Sequence, residues 1–308
     1  MPERSTGVRS AAIGRVRVLY SGRLVKPVTI SAAPMTIEEV LDVARGARIE
    51  IGDDAWRTIR ASRAVLDEAL AADQPVYGVN RGVGHGKDTR VPVEEMRHAQ
   101  VRILETHAGG TGPPLRADLV RAAMVVRLNG IARGGSAASP RVAEVLVGML
   151  NAGIEPVVPS GGSVGAGDLG QLASVGRVMI GRGRARYGND VLSASDALER
   201  AGIEPLEVEP KDGLTITSSN AVSIGHGAIV VSRAERLAQR ADVVAATSLE
   251  AVGGNPSVAR PIVAAAKPPH SSSVRSIPLR ARMLLVILCS AVVAVIDVPP
   301  ILLDGGFG

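Results

Sequence analysis

The stretch that decides the fold of this chain is PSGGSVGAGDLGQLA, residues 159–173. The glycines at positions 161, 162, 165 and 167 allow the backbone to turn sharply and to approach another group closely. The apolar run at residues 169–180 then predicts a helix, so the loop lies over a helix N-terminus. Backbone N–H groups at such a terminus carry a partial positive charge, which suits an anion or an electrophile.

Three roles fit a glycine-rich loop of this kind, and the simplest is a turn that only starts a helix. A phosphate-binding P-loop would end in Gly-Lys-Ser/Thr, which this loop lacks. A dinucleotide fingerprint needs a preceding strand in a βαβ unit, and residues 157–158 are too short to provide one. Phosphate binding is therefore the weaker functional interpretation.

Residues 162–169, Gly-Ser-Val-Gly-Ala-Gly-Asp-Leu, resemble the signature Gly-Ser-Val-Gly-Ala-Ser-Gly-Asp-Leu of the histidine and aromatic amino-acid ammonia-lyase family. In that family the Ala-Ser-Gly tripeptide cyclises and dehydrates into an electrophilic methylidene-imidazolone (MIO). The resemblance implies catalytic positions at Ala166, Gly167 and Asp168. Here Ala166 is joined directly to Gly167, so the residue that would supply the methylidene carbon is missing and Ser163 is out of register. The ordinary MIO group is therefore predicted not to form.

A second loop, YGVNRGVG at residues 77–84, follows Pro75 and is too rich in glycine for a helix or a strand. On its own, a tyrosine in this setting is typical of a packing residue. The loop resembles the family's Tyr-Gly-Val-Asn-Thr-Gly-Phe-Gly, which implies that Tyr77 is the catalytic base and that Gly84 borders the substrate. A phenol has an unperturbed pKa of about 10, so a phenolate base requires nearby positive charge or donated hydrogen bonds. Arg81, which replaces the family's Thr, is one candidate source of that charge if it faces inward.

The predicted helix at residues 91–106 ends in His107-Ala-Gly-Gly-Thr-Gly. A histidine at a helix end often serves as a C-cap. The segment resembles the family's Ser-His-Ala-Ala-Gly-x-Gly, which implies that His107 borders the substrate pocket. His107 does not by itself distinguish histidine from aromatic substrates.

Residues 211–220, KDGLTITSSN, resemble the family's Lys-Glu-Gly-Leu-Ala-Leu-Ile-Asn-Gly-Thr, whose Asn holds the cofactor and substrate. An ungapped alignment puts Ser218 at that Asn, and the nearest amide is Asn220. Both are therefore candidate substrate-binding residues. The alternative is a polar cluster inside a helix.

Composition bounds the class of protein. The 308 residues are 46% apolar but only 2% aromatic, which favours closely packed helices of Ala, Val and Leu. The single Cys289 excludes an internal disulfide, there is no Cys/His spacing for zinc, and residues 1–10 lack an apolar segment, so a cytoplasmic location is expected. The net charge of +5 comes from scattered residues, which disfavours nucleic-acid binding.

We expect a mainly α fold: a long-helix bundle like that of the ammonia-lyases, with a small mixed N-terminal region and without the family's C-terminal part. The predicted regions are 1–114 with the Tyr loop, 115–258 with the helical bundle and the glycine-rich loop, and an atypical tail at 259–308. Beyond Lys267 the resemblance fades, as after a frame change or a truncation. The apolar run at 283–296 is shorter than the roughly 20 residues that span a bilayer, so no membrane association is expected.

The pattern predicts a succession of helices along the chain. The first begins at Thr36 with a capping box to Glu39. The predicted helices cover residues 37–46, 53–72, 91–106, 117–132, 141–152, 169–180, 194–201 and one long span from about 210 to 250.

Two functional hypotheses remain open. The first is an ammonia-lyase or aminomutase that binds a small amino acid, removes its β-proton with Tyr77 and releases ammonia to leave an α,β-unsaturated acid. The second is a catalytically silent paralogue that keeps the helical fold for binding or assembly. The resemblance also implies a homotetramer with sites at subunit contacts.

Overall fold

The computed structural model describes residues 27–255 and residue 257 in full, and only the backbone of residues 19–20 and 23–24. The chain divides into two compact units, Met1–Ile229 and Val230–Gly308. The predicted tail at 259–308 lies outside the described residues, and the three-region division remains a prediction.

Helices dominate the described residues, which confirms the predicted mainly α class. Up to the glycine-rich loop the elements are β1 (Leu19–Tyr20), β2 (Arg23–Leu24), β3 (Val28–Ile30), α1 (Ile37–Ala44), β4 (Ile49–Ile51), α2 (Asp53–Ala71), α3 (Met96–His107), β5 (Thr111–Pro114), α4 (Ala117–Ala132), α5 (Pro140–Ala152), β6 (Ile154–Pro156) and β7 (Pro159–Gly161). After it come α6 (Leu169–Met179), β8 (Arg184–Tyr187), β9 (Asp190–Ser193), α7 (Ala194–Arg200), α8 (Asp212–Thr217) and α9 (Ala221–Ala251).

The predicted capping box at the start of α1 is confirmed. The backbone N–H of Glu39 donates to Thr36 Oγ1 at 3.2 Å, and the N–H of Thr36 donates to Glu39 Oε2 at 2.7 Å. The two side chains therefore satisfy N–H groups that the first turn of a helix leaves without partners.

The short strands pair into small sheets that connect the helices. β3 and β4 are parallel, β5 pairs antiparallel with β7, and β6, β8 and β9 form an antiparallel sheet. Between the helices predicted at 169–180 and 194–201, the chain forms β8 and β9, which pair as a hairpin. The hairpin turns at Gly188-Asn189, with Gly188 at φ 62° in the left-handed region that such tight turns require.

The core is built around α4, which is almost entirely buried and packs against α1 and α5. The buried guanidinium of Arg121 on α4 donates from Nε to the carbonyl of Val43 and from an Nη to the carbonyl of Leu150, each at 2.9 Å. These carbonyls lie in the last turns of α1 and α5, where helices leave C=O groups without partners. Arg121 therefore ties two helix ends to the central helix.

The long helix predicted at 210–250 is interrupted. α8 ends at Thr217, and α9 begins at Ala221 after a break at residues 218–220. Within Asp212–Ala251 an 18-residue window has a mean hydropathy of 1.2, which meets the length and composition expected of a membrane-crossing helix. Buried helices of soluble proteins meet the same criterion, so it does not by itself assign a membrane span.

Candidate active site

The glycine-rich loop begins as strand β7 and then leaves the sheet. Gly165 and Gly167 have φ angles of 82° and 91°, a conformation that residues with a Cβ rarely adopt. Between them Ala166 is exposed, and the side chain of Val164 is 90% exposed. The tip of the loop therefore faces outward in this chain, while its two ends are held.

Asp168 holds the end of the loop. It is fully buried, and its carboxylate accepts hydrogen bonds from Ser163 Oγ at 2.7 Å and from the N–H and Oγ of Ser223 at 2.8 Å. Its own N–H donates to the carbonyl of Ser219 at 2.7 Å. Asp168 is therefore an anchor between the loop and α9, and within the described contacts its oxygens are occupied by protein donors.

Ser163 closes the loop from the other end. Its hydroxyl donates to Asp168 and accepts from the N–H of Gly165 at 3.2 Å. The Ser163 hydroxyl, which lies nearest to the position of the missing tripeptide residue, therefore makes a structural hydrogen bond. This agrees with the prediction that Ser163 is out of register for forming the MIO group.

The break at residues 218–220 brings polar groups to the loop. Asn220 Nδ2 donates to the carbonyl of Gly165 at 2.9 Å, whereas Ser218 is exposed. Of the two candidates from the sequence, Asn220 is the one that contacts the loop.

The His107 end of α3 also lies against the loop. A Cβ added at Gly170 would lie 3.0 Å from the carbonyl oxygen of His107, and one added at Gly110 would lie 2.8 Å from that of Gly161. His107 Nδ1 lies 2.8 Å from the carbonyl of Ile103. Because a carbonyl only accepts, Nδ1 carries the proton, and Nε2 of the neutral ring is left as an acceptor.

Tyr77 is held by its own loop. Its hydroxyl accepts a hydrogen bond from the N–H of Gly84 at 2.9 Å, and its side chain is 49% exposed. A donated N–H stabilises a phenolate more than a phenol. Arg81, the alternative source of positive charge, instead donates to the carbonyl of Asn80 at 3.0 Å.

The Tyr77 loop is fixed to α8 by residues that carry no local signal in the sequence. The buried Gln100 on α3 donates to the carbonyl of Gly78 at 2.8 Å and accepts from the N–H of Leu214 at 3.1 Å. Lys211 Nζ lies 3.4 Å from the carbonyl of Tyr77, and partial burial lowers the pKa of its amine. The backbone of Lys211 has φ 87°, a strained conformation for a residue with a Cβ.

Asp212, next in the chain, joins α8 to α5. Its buried carboxylate accepts from the N–H and the Oγ of Ser139 at 2.8 Å and from the N–H of Glu209 at 2.9 Å. Burial raises the pKa of this carboxyl, and the donated hydrogen bonds act against that shift.

Among the described contacts, Asn220 binds the Gly165 carbonyl and Asp168 binds Ser163 in the loop that carries Ala166 and Gly167, and the backbone of His107 lies beside Gly170 in the helix that follows. That these residues form one site stays a prediction. Tyr77 and Gly84 are hydrogen-bonded to each other. Among the described contacts, Gln100 on α3 links their loop to α8. Sequence reasoning missed several supporting residues. Ser223 and Gln100 contact residues that are far away in the sequence. The available sequence signal for each was that a polar residue lies within a helical pattern.

Comparison with known proteins places these segments in a family. The sequence model described as "Aromatic amino acid lyase" matches residues 35–281. The chain therefore belongs to the aromatic amino acid lyase family, as its motifs predicted.

Three relatives illustrate the range of the family. A histidine ammonia-lyase of Treponema denticola is 36% identical over 262 residues, which cover 84% of this chain and 52% of that protein. The crystal structure of the ergothioneine-degrading enzyme ergothionase from Treponema denticola matches 78% of this chain and 48% of its own, at 31% identity and a TM-score of 0.74. Tyrosine aminomutase from Streptomyces globisporus matches 73% of this chain and 43% of its own, at 33% identity and a TM-score of 0.70. The chain spans about half the length of the relatives it matches.

Proposed function

We propose that this chain carries part of the active site of a lyase that eliminates an amine from a histidine-like amino acid. The observation that carries the proposal is the hydrogen bond of 2.9 Å from Asn220 to the carbonyl of Gly165. It joins two segments that resemble family motifs, and the His107 backbone approaches the first turn after the same loop. Such a meeting of distant motifs is what a shared site requires.

The side chains have distinct roles in this proposal. Tyr77 takes the β-proton, and the N–H of Gly84 stabilises the phenolate. His107 accepts a hydrogen bond from the substrate through Nε2, and Ser218 and Asn220 contact the substrate beside the loop. Asp168 acts through the loop that it anchors, not by contact with the substrate.

The residues present do not fit the family's MIO group. Its ring forms when a glycine nitrogen attacks an alanine carbonyl across one intervening residue, which then loses its hydroxyl as water. Ala166 and Gly167 are adjacent, and in the register 166–168 the middle residue is Gly167, which has no Cβ. Ser163, the hydroxyl residue nearby, is bonded to Asp168. We therefore infer that the chain lacks this electrophile, and no step of the proposed reaction passes through it.

Without the electrophile, the leaving group decides the substrate. A primary amine is a poor leaving group unless an electrophile activates it. A trimethylated nitrogen departs as neutral trimethylamine: Tyr77 removes the β-proton, the Cα–Cβ double bond forms, and the Cα–N bond breaks with its electron pair on nitrogen. Ergothioneine, a histidine betaine, is such a compound, and the likeness to an ergothioneine-degrading enzyme supports a quaternary-amine substrate here.

Intact-mass spectrometry and a paired assay test the proposal. We expect an unmodified mass, release of trimethylamine from ergothioneine, and little ammonia from histidine or tyrosine. Tyr77→Phe should abolish the release, and Tyr187→Phe, a tyrosine outside both loops, is the matched control. A mass lower by two waters within residues 162–170, with ammonia release from histidine, would overturn the proposal and restore the ordinary ammonia-lyase reaction.

The alternative is a catalytically silent paralogue with a role in assembly. The surface of α9 supports assembly both for the lyase and for the silent paralogue. Small apolar and polar residues recur along α9 at alternating spacings of four and three, and each is half-buried or exposed: Val230, Ala234, Leu237, Ala241, Val244 and Ser248. This spacing is that of a coiled-coil seam. We propose a homo-oligomer, a tetramer by family resemblance, in the cytoplasm. No release of either amine with an intact oligomer would favour the silent paralogue.

A further inference from the structure

Arg127 on α4 differs from the other buried arginines of the described chain. Its side chain is 8% exposed, yet its Nε has no hydrogen-bond partner among the described residues. Arg121, six residues earlier on the same helix, donates to two carbonyl oxygens. Arg177 also has an Nε without a hydrogen bond, but that atom lies 3.3 Å from the Glu105 carboxylate.

The charge of Arg127 persists despite its burial. Loss of solvent lowers the pKa of the guanidinium to about 10, so it remains protonated at neutral pH. A buried cation without a partner is costly, and removing a partner from a buried ion pair strongly destabilises a protein. In the described part of the chain Arg127 has no carboxylate partner, so the missing anion must come from elsewhere.

The helix leaves room for such an anion at Gly130. A Cβ added there would lie 3.3 Å from an Nη of Arg127, and among the described residues no other atom lies within 4 Å of it apart from the helix backbone and the two neighbours in the chain. Gly130 is half-buried, so the space beside it reaches the surface. The guanidinium therefore forms the base of a small recess that a methyl group would narrow.

We propose that Arg127 and the recess at Gly130 bind a carboxylate group. A guanidinium presents parallel N–H donors that match the two oxygens of a carboxylate, and a partly desolvated site strengthens that pairing. The carboxylate belongs either to a small molecule, such as an amino acid, or to an acidic side chain of a second copy of this chain. Binding of a carboxylate at this site does not require the proposed lyase reaction.

Thermal unfolding of the full chain in sodium acetate and in sodium chloride, at matched pH and ionic strength, tests the proposal. We expect acetate to raise the wild-type midpoint with increasing concentration, because a ligand that binds only the folded state stabilises it. The shift should be lost in Arg127→Met and reduced in Gly130→Ala. Gly227→Ala, at a helix position where an added Cβ meets nothing within 4 Å, is the control and should keep the shift.

Sedimentation at fixed concentration separates the two sources. If the carboxylate comes from a second copy, acetate leaves the wild-type midpoint unchanged, and Arg127→Met shifts the chain to a smaller species. An acetate response with an unchanged oligomeric state in Arg127→Met assigns a small-molecule ligand. No acetate response in wild type together with an unchanged oligomeric state in the variant overturns the proposal. If Arg127→Met does not fold, Gly130→Ala replaces it in both the acetate and the sedimentation measurements.

Discussion

Asp168 and Ser223 are 55 residues apart in the chain, yet the Asp168 carboxylate accepts two hydrogen bonds of 2.8 Å from Ser223, one from its N–H and one from its hydroxyl. The pair fixes the first turn of α9 to the end of the glycine-rich loop. A buried acceptor that is satisfied in this way is expensive to alter, because each donor left without a partner loses its solvation as well.

Asp168→Asn should therefore lower the free energy of unfolding by about 1–3 kcal/mol, since its amide turns an NH₂ toward groups that donate. Denaturant unfolding measures the change. The matched variant Ser163→Ala removes one donor and leaves Asp168 with Ser223, so its loss should be smaller, about 0.5–1.5 kcal/mol. Equal losses for the two variants would contradict this account.

Arg121→Met should destabilise the fold by about 0.5–1.5 kcal/mol for each of the two hydrogen bonds that it removes, because the carbonyls of Val43 and Leu150 each keep a backbone donor. Arg90→Met is the control, because Arg90 pairs with Asp73 at the surface. Such exposed ion pairs contribute about 0–1 kcal/mol. The denaturation midpoint should therefore be lower for Arg121→Met than for Arg90→Met. Equal losses of stability in the two variants would contradict this prediction.

Asp212 makes stability depend on pH. Its folded-state pKa lies above the ordinary value of 3.8, so the folded chain binds more protons than the unfolded chain between these two values. The contribution of this group is then fully present below pH 3.8 and is lost as the pH rises through the folded-state pKa. The difference in unfolding free energy between wild type and Asp212→Asn should fall as the pH rises from 3.8 and then level off. A difference that grows with pH would show that the pKa is lowered.

Two glycines of α9 should respond in opposite directions to alanine. A Cβ at Gly225 would lie 2.9 Å from the backbone of Ala122 and 3.0 Å from that of Ala123, so Gly225→Ala forces α9 away from α4 and should cost about 1–3 kcal/mol. Gly227→Ala meets nothing within 4 Å and should stabilise the helix by up to about 1 kcal/mol. Circular dichroism melts of the two variants test the sign as well as the size.

Local signals in the sequence predicted much of the fold. The capping box of Thr36 and Glu39 acts within four residues, and the α4 bounds predicted from apolar spacing agree with the structure. The break before α9 was not predicted, because the residues around it have helical spacing. It forms where the Asp168 N–H donates to the carbonyl of Ser219 and the Asp168 carboxylate accepts from Ser223, a tertiary effect that local propensity does not contain.

The candidate site was predicted as a set of motifs that should converge on one pocket, without the individual contacts that hold them. His107 was predicted from its match to the family and Asn220 as the amide nearest to the matched Ser218, and the structure adds that Asn220 donates to the carbonyl of Gly165. Gln100 was not found at all, since it sits in an ordinary helical pattern and acquires its role only from burial and distant partners.

The bond between Ser163 and Asp168 bears on how such a chain evolves. The four residues between these anchors end in an exposed tip, so removing one residue there leaves the anchors and the buried contacts of Asp168 in place. The change in loop-closure entropy from one residue is also small, well below about 0.6 kcal/mol. Selection for folding alone does not protect the serine that cofactor formation needs. For the same reason the loop should accept an inserted residue. A serine inserted between Ala166 and Gly167 restores the tripeptide, and Ser163 and Asp168 already fix the two ends of the loop.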